Sequence, residues 1–229
     1  MVYAVKSDLQ NRFYGKMKEL IKMTKDDLKK LVIAEIDRNQ DRLIELGKSI
    51  WQEAESGYEE FKTAAKVENI FRDLNLPYQN KLARTGVRAD FDTGKEGPTV
   101  AILGELDALV MPEHPEANPE TGAAHACGHN MQIANLCGAA LGLCSETVRK
   151  ELAGKIAFIA CPAEECRIAH FEGIRFLGGK PELIRQGVFD DVDMAMMTHS
   201  SSIYGAAESC NGFVMKKVTF TGKPAHAGG

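Results

Sequence analysis

Residues 99–109 read Thr-Val-Ala-Ile-Leu-Gly-Glu-Leu-Asp-Ala-Leu. The apolar run from Thr99 to Leu103 passes directly into Glu105-Leu106-Asp107, which predicts a short buried strand ending in acids. The same pattern recurs twice. Lys155 to Ala160 is an apolar strand that ends at Cys161-Pro162-Ala163-Glu164-Glu165, and Met194 to Met197 reads as a short buried strand that ends at His199. A further strand is predicted over Gly86 to Phe91. Helical periodicity lies between these runs. Leu28, Leu31, Val32, Ile36, Leu43, Leu46 and Ile50 share a helical face, a second helix runs from Glu59 to Leu74, Met131 to Leu143 is a buried small-residue helix, and Ile168 to Gln186 reads as mainly helical, interrupted by Gly178-Gly179. Helices alternating with apolar strands imply an α/β layered fold. In such sheets ligands bind outside the carboxyl ends of the strands, where Asp107, Glu164, Glu165 and His199 fall.

Composition narrows the field. Hydrophobic residues make up 44% of the 229 residues and charged residues 26%, the profile of an ordinary globular chain. The net charge of -4 provides no basic field for nucleic acid. No apolar run approaches membrane-spanning length, and no signal peptide is visible, so no membrane partner is expected. Six cysteines, at 127, 137, 144, 161, 166 and 210, are too scattered for a secreted disulfide framework. A reducing, cytoplasmic setting is the expectation.

The densest chemistry is His-Ala-Cys-Gly-His-Asn, residues 125–130. Zinc accepts Cys sulfur, His nitrogen and carboxylate oxygen, and catalytic sites leave one position open for water. Cys127, His129, Glu165 and His199 supply those donor types, a mixed set that zinc, cobalt or manganese tolerates. Of two adjacent glutamates, one can bind the metal while the other acts as general base. Asp107 at a strand end can orient a ligand through a hydrogen bond. Each residue also has a plainer reading. A cysteine before a helix is commonly a small buried hydrophobe, Glu164-Glu165 alone would be a solvated turn, and His199 alone would sit in a polar loop. His114, His170 and Cys166 read as incidental. Zinc deaminases require Pro-Cys-x-x-Cys, which is absent, as are the glycine-rich phosphate loops. Cys127 and His129 lie too close in sequence for the usual cysteine-hydrolase pair.

Taken in order, GELDAL (104–109), HACGHN (125–130), CPAEE (161–165), THS (198–200) and GKPAHAGG (222–229) resemble the amidohydrolase and carboxypeptidase branch of the M20 metallopeptidases, subfamily D. WQEAESGYEEFKTA, 51–64, resembles that family's N-terminal helix pair. The likeness runs from about Leu43 to Gly229 and leans toward the aminobenzoyl-glutamate hydrolases. It implies an aminopeptidase-like catalytic domain, with a mixed sheet and flanking helices, into which a smaller lid and dimerisation domain is inserted. Residues 1–24 would then be an N-terminal extension, 25–211 the N-terminal part of the catalytic domain, and 212–229 the beginning of the lid. By the same resemblance Cys127, His129, Glu165 and His199 match metal ligands, with two divalent ions (Zn, Mn or Co) expected. Glu164 matches the general base, Asp107 the aspartate that supports the metal centre, and His226 a lid histidine that binds substrate or the oxyanion across a dimer interface. His125 opens the cysteine motif.

The implied activity is hydrolysis of an amide bond in N-acyl amino acids, aminobenzoyl-glutamate or small dipeptides, with a homodimer as the full-length state. Three positions depart from the family pattern. Glu105 stands where many relatives carry His or Asp, Asn130 where Asp is common, and Val110 where Pro is usual. The family's last metal ligand, in its C-terminal half, would lie beyond Gly229. The expectation is therefore a fragment or an interrupted reading frame, and a truncated relative that binds metal without turnover is the rival reading.

Overall fold

The computed structural model describes residues 23–166, 170–202, 204–206, 218–223 and 228. Helix α1 (Lys25–Arg38) starts at Thr24, whose hydroxyl accepts the Asp27 N–H, with Asp26 and Asp27 in the first turn where the helix dipole favours acids. The single apolar run predicted from Leu28 to Ile50 is split at Asn39 into α1 and α2 (Gln40–Gln52). The Asn39 side chain donates to the Glu35 carbonyl, satisfying the end of α1. Helix α3 (Phe61–Asp73) buries Ala64, Val67, Ile70 and Phe71 on one face. Its first turn is capped from a distance, because the Glu55 carboxylate accepts the N–H groups of Lys62 and Thr63.

Strands β1 (Tyr78–Leu82), β2 (Gly86–Asp92), β3 (Thr99–Glu105), β6 (Lys155–Cys161) and β7 (Met194–Met197) form a sheet of order β1-β2-β6-β3-β7. The short β4 (Leu109–Val110) and β5 (Ala123–Ala124) pair separately. Helices α4 (His129–Leu143) and α5 (Glu146–Glu151) link β5 to β6, and α6 (Gly179–Arg185) lies between β6 and β7. β3, β6 and β7 run parallel, whereas β1 and β2 run against their neighbours, so the sheet is mixed. β6 shows why the central strands read as unbroken apolar runs. Phe158 and Ala160 face the helices α2, α3 and α4, while Ala157, Ile159 and Cys161 enter a second cluster with Leu183 and Val188 on the opposite face.

Helix α4 lies unusually close to β3. A Cβ at Gly104 would sit 3.1 Å from Ile133 Cδ1 and 3.2 Å from Leu136 Cδ2, so glycine is what permits the approach. That contact brings the start of α4 over the ends of the parallel strands. Asn130 donates to the Gly47 carbonyl and ties α4 to α2, which gives this family-atypical asparagine a packing role.

Three expectations are corrected. The predicted helix from Ile168 to Gln186 forms only over Gly179–Arg185. Residues 170–178 are turns and irregular chain, and 167–169 lie outside the described residues. Glycines at 173, 178 and 179 weaken helix there, and the Glu182 carboxylate captures the N–H groups of Arg175 and Phe176. Met194–Met197 forms the predicted strand, but all four residues are exposed, and among the described residues the strand lies at the sheet edge. The strand predicted over Gly212 to Thr221 falls partly outside the described residues, and Val218 to Thr221 has no regular structure. The strand β1 was not anticipated, since Tyr-Gln-Asn-Lys-Leu is polar and half-exposed at the sheet edge.

Candidate metal centre

Register assembles the site. Glu105 is paired with Cys161 across β3 and β6, and Leu103 with Met197 across β3 and β7. Carried two residues further, that alignment sets His199 level with Glu105, and His199 Nε2 lies 4.0 Å from Glu105 Oε2. Gln132 of α4 locks the level. Its carbonyl accepts the Glu105 N–H at 2.7 Å and its amide donates to the Thr198 carbonyl at 2.8 Å.

His129, the first residue of α4, is buried at the centre. Its Nδ1–H donates to the Asp107 carbonyl at 2.8 Å, which leaves Nε2 as the lone-pair nitrogen of the neutral ring. Nε2 faces Glu105 Oε2 at 3.0 Å, Glu164 Oε2 at 3.8 Å and Glu165 Oε1 at 4.0 Å. Cys127 Sγ lies 3.5 Å from His199 Nε2, and the Ser200 hydroxyl donates to the Cys127 carbonyl, holding the two loops together. Two groups of donor atoms result, Cys127–His129–His199 and Glu105–His129–Glu164, each with its atoms within 4.8 Å of one another.

The electrostatics fit a cation. Glu105, Asp107, Glu164 and Glu165 converge, with Lys180 the cation paired to Glu105. Burial alone would raise the Glu105 pKa, but hydrogen bonds and charge from His129 and Lys180 pull it to about 2. Burial would likewise lower the His129 pKa, yet Asp107 and Glu105 raise it to about 11. Carboxylates thus demand a positive charge at the Nε2 position, whether proton or metal. Burial pushes the Cys127 thiol upward, as do the charges of Glu165 and Glu164 against the opposing pull of His129, and a cation beside the sulfur would oppose that shift. Asp107 Oδ1 and Glu165 Oε1 are buried without a hydrogen-bond partner, as are Glu105 Oε2 and His129 Nε2 when the His129 ring is neutral, and such atoms suit metal ligation.

Six of the residues singled out from the sequence (Cys127, His129, Asp107, Glu164, Glu165 and His199) therefore meet in one place. Asp107 contributes twice, accepting the Glu165 N–H at 2.9 Å through its carboxylate and orienting His129 through its carbonyl. His226 lies outside the described residues. His125 is buried, its pKa lowered to about 4 by burial and by His129. His114, His170 and Cys166 belong to neither donor group. Glu105 is the donor that sequence reading missed. The signal was its i, i+2 relation to Asp107 at a strand end, the spacing that places two side chains on one side of extended chain.

An α/β sheet whose parallel strands end in a Cys, His and carboxylate donor set is an arrangement that can hold a catalytic metal. No protein-family model matches the chain. Individual proteins do. The N-acetyl-L-cysteine deacetylase of Bacillus subtilis is 31% identical over 198 residues, covering 82% of this chain and 45% of that protein. The IAA-amino acid hydrolase ILR1-like 5 of Arabidopsis thaliana is 30% identical, covering 82% of this chain and 42% of its own length. Among solved structures, the YXEP protein of Bacillus subtilis, a dinuclear metal binding peptidase from the M20 family, superposes with a TM-score of 0.58 at 27% identity, over 70% of this chain and 44% of that one. The aminobenzoyl-glutamate utilization protein of Klebsiella pneumoniae shares the fold, with a TM-score of 0.53 at 23% identity over 72% of this chain and 45% of that one. The chain is thus similar to amidohydrolases that act on N-acyl or IAA-amino acids by name, and to an M20-family dinuclear metal peptidase. It spans a little under half the length of these relatives. Among the described residues no helix is long and apolar enough to cross a membrane.

Proposed function

We propose that this chain supplies the metal-binding part of an enzyme that hydrolyses the amide bond of N-acyl amino acids. The observation that carries the reading is the presentation of His129 Nε2, with its Nδ1–H already committed, to three carboxylates beside Cys127 and His199. Cys127, His129, Glu165 and His199 would hold a divalent ion, with Glu105, 3.0 Å from His129 Nε2, as a further carboxylate donor beside it. Such an ion supplies Lewis acidity toward the amide carbonyl and acidifies water. Zinc, manganese and cobalt suit the donor set.

The remaining chemistry falls to the protein. Glu164, partly exposed beside His129, takes the proton of the attacking water and returns it to the leaving amine. Asp107 fixes both the His129 ring and the backbone of Glu165, so the donors are held before substrate arrives. His226, from its place in GKPAHAGG, would reach the oxyanion in a homodimer, the assembly that the family resemblance implies. N-acyl amino acids are favoured as substrates because the relatives are named for N-acetyl-L-cysteine and IAA-amino acids. Aminobenzoyl-glutamate and small dipeptides follow.

A second reading is a relative that binds metal without turning over substrate. Elemental analysis of protein purified without added metal, with Cys127→Ser alongside, tests the common part. At least one equivalent in the wild type and a loss in the variant is the expected result. A folded chain with no metal would refute both readings. Hydrolysis of N-acetyl amino acids by the loaded chain then decides between them.

A further inference from the structure

Glu164 and Glu165 are carried by a turn that the chain does not favour by itself. Ala163 adopts a left-handed backbone, φ 47, although it is not glycine, and Pro162 precedes it. Such a conformation persists where the surroundings hold it. Two carboxyl groups do so from opposite ends. Asp107 Oδ2 accepts the Glu165 N–H at 2.9 Å, and Glu60 Oε1 accepts the Ala163 N–H at 2.7 Å. Glu164 lies between these two anchored amides, with its carboxylate toward His129.

Glu60 is poorly explained as a structural residue alone. It is wholly buried at the start of α3, yet its side chain does not cap that helix, a task Glu55 performs. Its carboxyl instead reaches the turn after β6, and its second oxygen is fixed by the Thr85 hydroxyl. Burial, with the charge of Asp107 added, lifts its pKa to about 8. It is therefore mainly uncharged near neutrality, and the full cost of a buried anion is not incurred. The segment that carries it presses directly on the turn. A Cβ at Gly57 would meet Ala163 Cα and Cβ at 3.0 Å. The same segment steadies the end of β3, since the Glu55 carbonyl accepts the Ala108 N–H at 2.8 Å.

We infer that Glu60 is a positioning residue for Glu164: by holding the Ala163 N–H it sets the left-handed turn that aims the general base at the metal centre. The inference rests on the role proposed for Glu164. Its substrate-independent content is that the amides of Ala163 to Glu165 are immobilised by Glu60.

The test compares wild type, Glu60→Ala, Glu60→Gln and Thr85→Val in the full chain loaded with zinc. Hydrogen exchange is followed for a peptide covering 161–166 and for a core peptide of β6, together with zinc content and the kcat and KM for an N-acetyl amino acid. In Glu60→Ala, exchange rises at the turn and not in β6, zinc content holds, and kcat falls about 100-fold with KM little changed, the scale of a misplaced catalytic group. Glu60→Gln, which keeps an acceptor for Ala163 and is the isostere of the neutral acid, restores slow exchange and most of kcat. If Glu60→Ala does not fold, Thr85→Val releases the anchor of Glu60 and should show the same pattern in weaker form. Unchanged exchange at the turn in a folded variant overturns the inference. So does a raised exchange rate with kcat intact. A wild type with zinc and no turnover refutes the hydrolase reading instead, and the exchange comparison still decides what Glu60 holds.

Discussion

Glu182 is buried completely, and its carboxylate organises the irregular chain before α6. It accepts the N–H of Arg175 at 3.0 Å, the N–H of Phe176 at 3.3 Å, the Arg185 Nε–H at 2.8 Å and the Gln186 amide at 3.1 Å. Arg185 above all, against the opposing effect of burial and with help from these amides, takes its pKa from 4.5 to about 2. A carboxylate held below its unfolded pKa stabilises the fold above that pKa and loses its contribution as pH falls through the folded value. Here the window runs from 4.5 down to about 2. The full effect is roughly 3 kcal/mol, of which about 2 kcal/mol is gone at pH 3. Other acids titrate in the same range, so the measurement is a difference. Urea unfolding of wild type and Glu182→Gln is compared at pH 7 and pH 3 with a chelator present. The variant is expected to be less stable by about 2–3 kcal/mol at pH 7, and the gap should shrink by about 2 kcal/mol at pH 3. A gap that stays constant between the two pH values would refute the reasoning.

Two further substitutions separate chemistry from packing. Glu164→Gln should lower turnover by about 10²–10⁴-fold while metal content, read by elemental analysis, stays at the wild-type level. Loss of metal would mean that Glu164 is a ligand first. Gly104→Val places methyl groups where Ile133 and Leu136 already stand 3.1 and 3.2 Å from a bare Cβ, and should cost about 1–3 kcal/mol in denaturant unfolding. An unchanged midpoint would show that α4 can lift from β3 freely.

What was legible in the sequence follows from burial. β3 and β6 are covered on both faces, so their apolar runs stand out, and the acids that follow mark the strand ends. The motif residues Cys127 and His129 were visible because both donors sit in one short stretch that leads into a helix. Where tertiary contacts decide, local pattern failed. The helical pattern of 170–178 loses to Glu182, which takes up backbone N–H groups that a helix would have used. The apolar Met-Ala-Met-Met strand looked buried, yet exposure depends on what covers the two faces of an edge strand. Glu60 stands 103 residues from its partner Ala163, and no periodicity signals such a contact.

Glu105 shows most clearly what register adds to motif. As a letter it was a departure from the family's usual His or Asp. Placed opposite Cys161 and level with His199, it becomes the carboxylate nearest His129 Nε2 and the partner of Lys180. A cation there would compete with Lys180 for the same carboxylate, and with a proton for His129. Both donor groups draw on α4 and on the ends of β3, β6 and β7, elements held by one sheet and by Gln132. Metal binding would therefore depend on contacts within these elements, whereas turnover would also depend on whatever grips the rest of the substrate. On the proposed reading, metal content and hydrolysis would be separable properties, and Cys127→Ser would act on the first by way of this site.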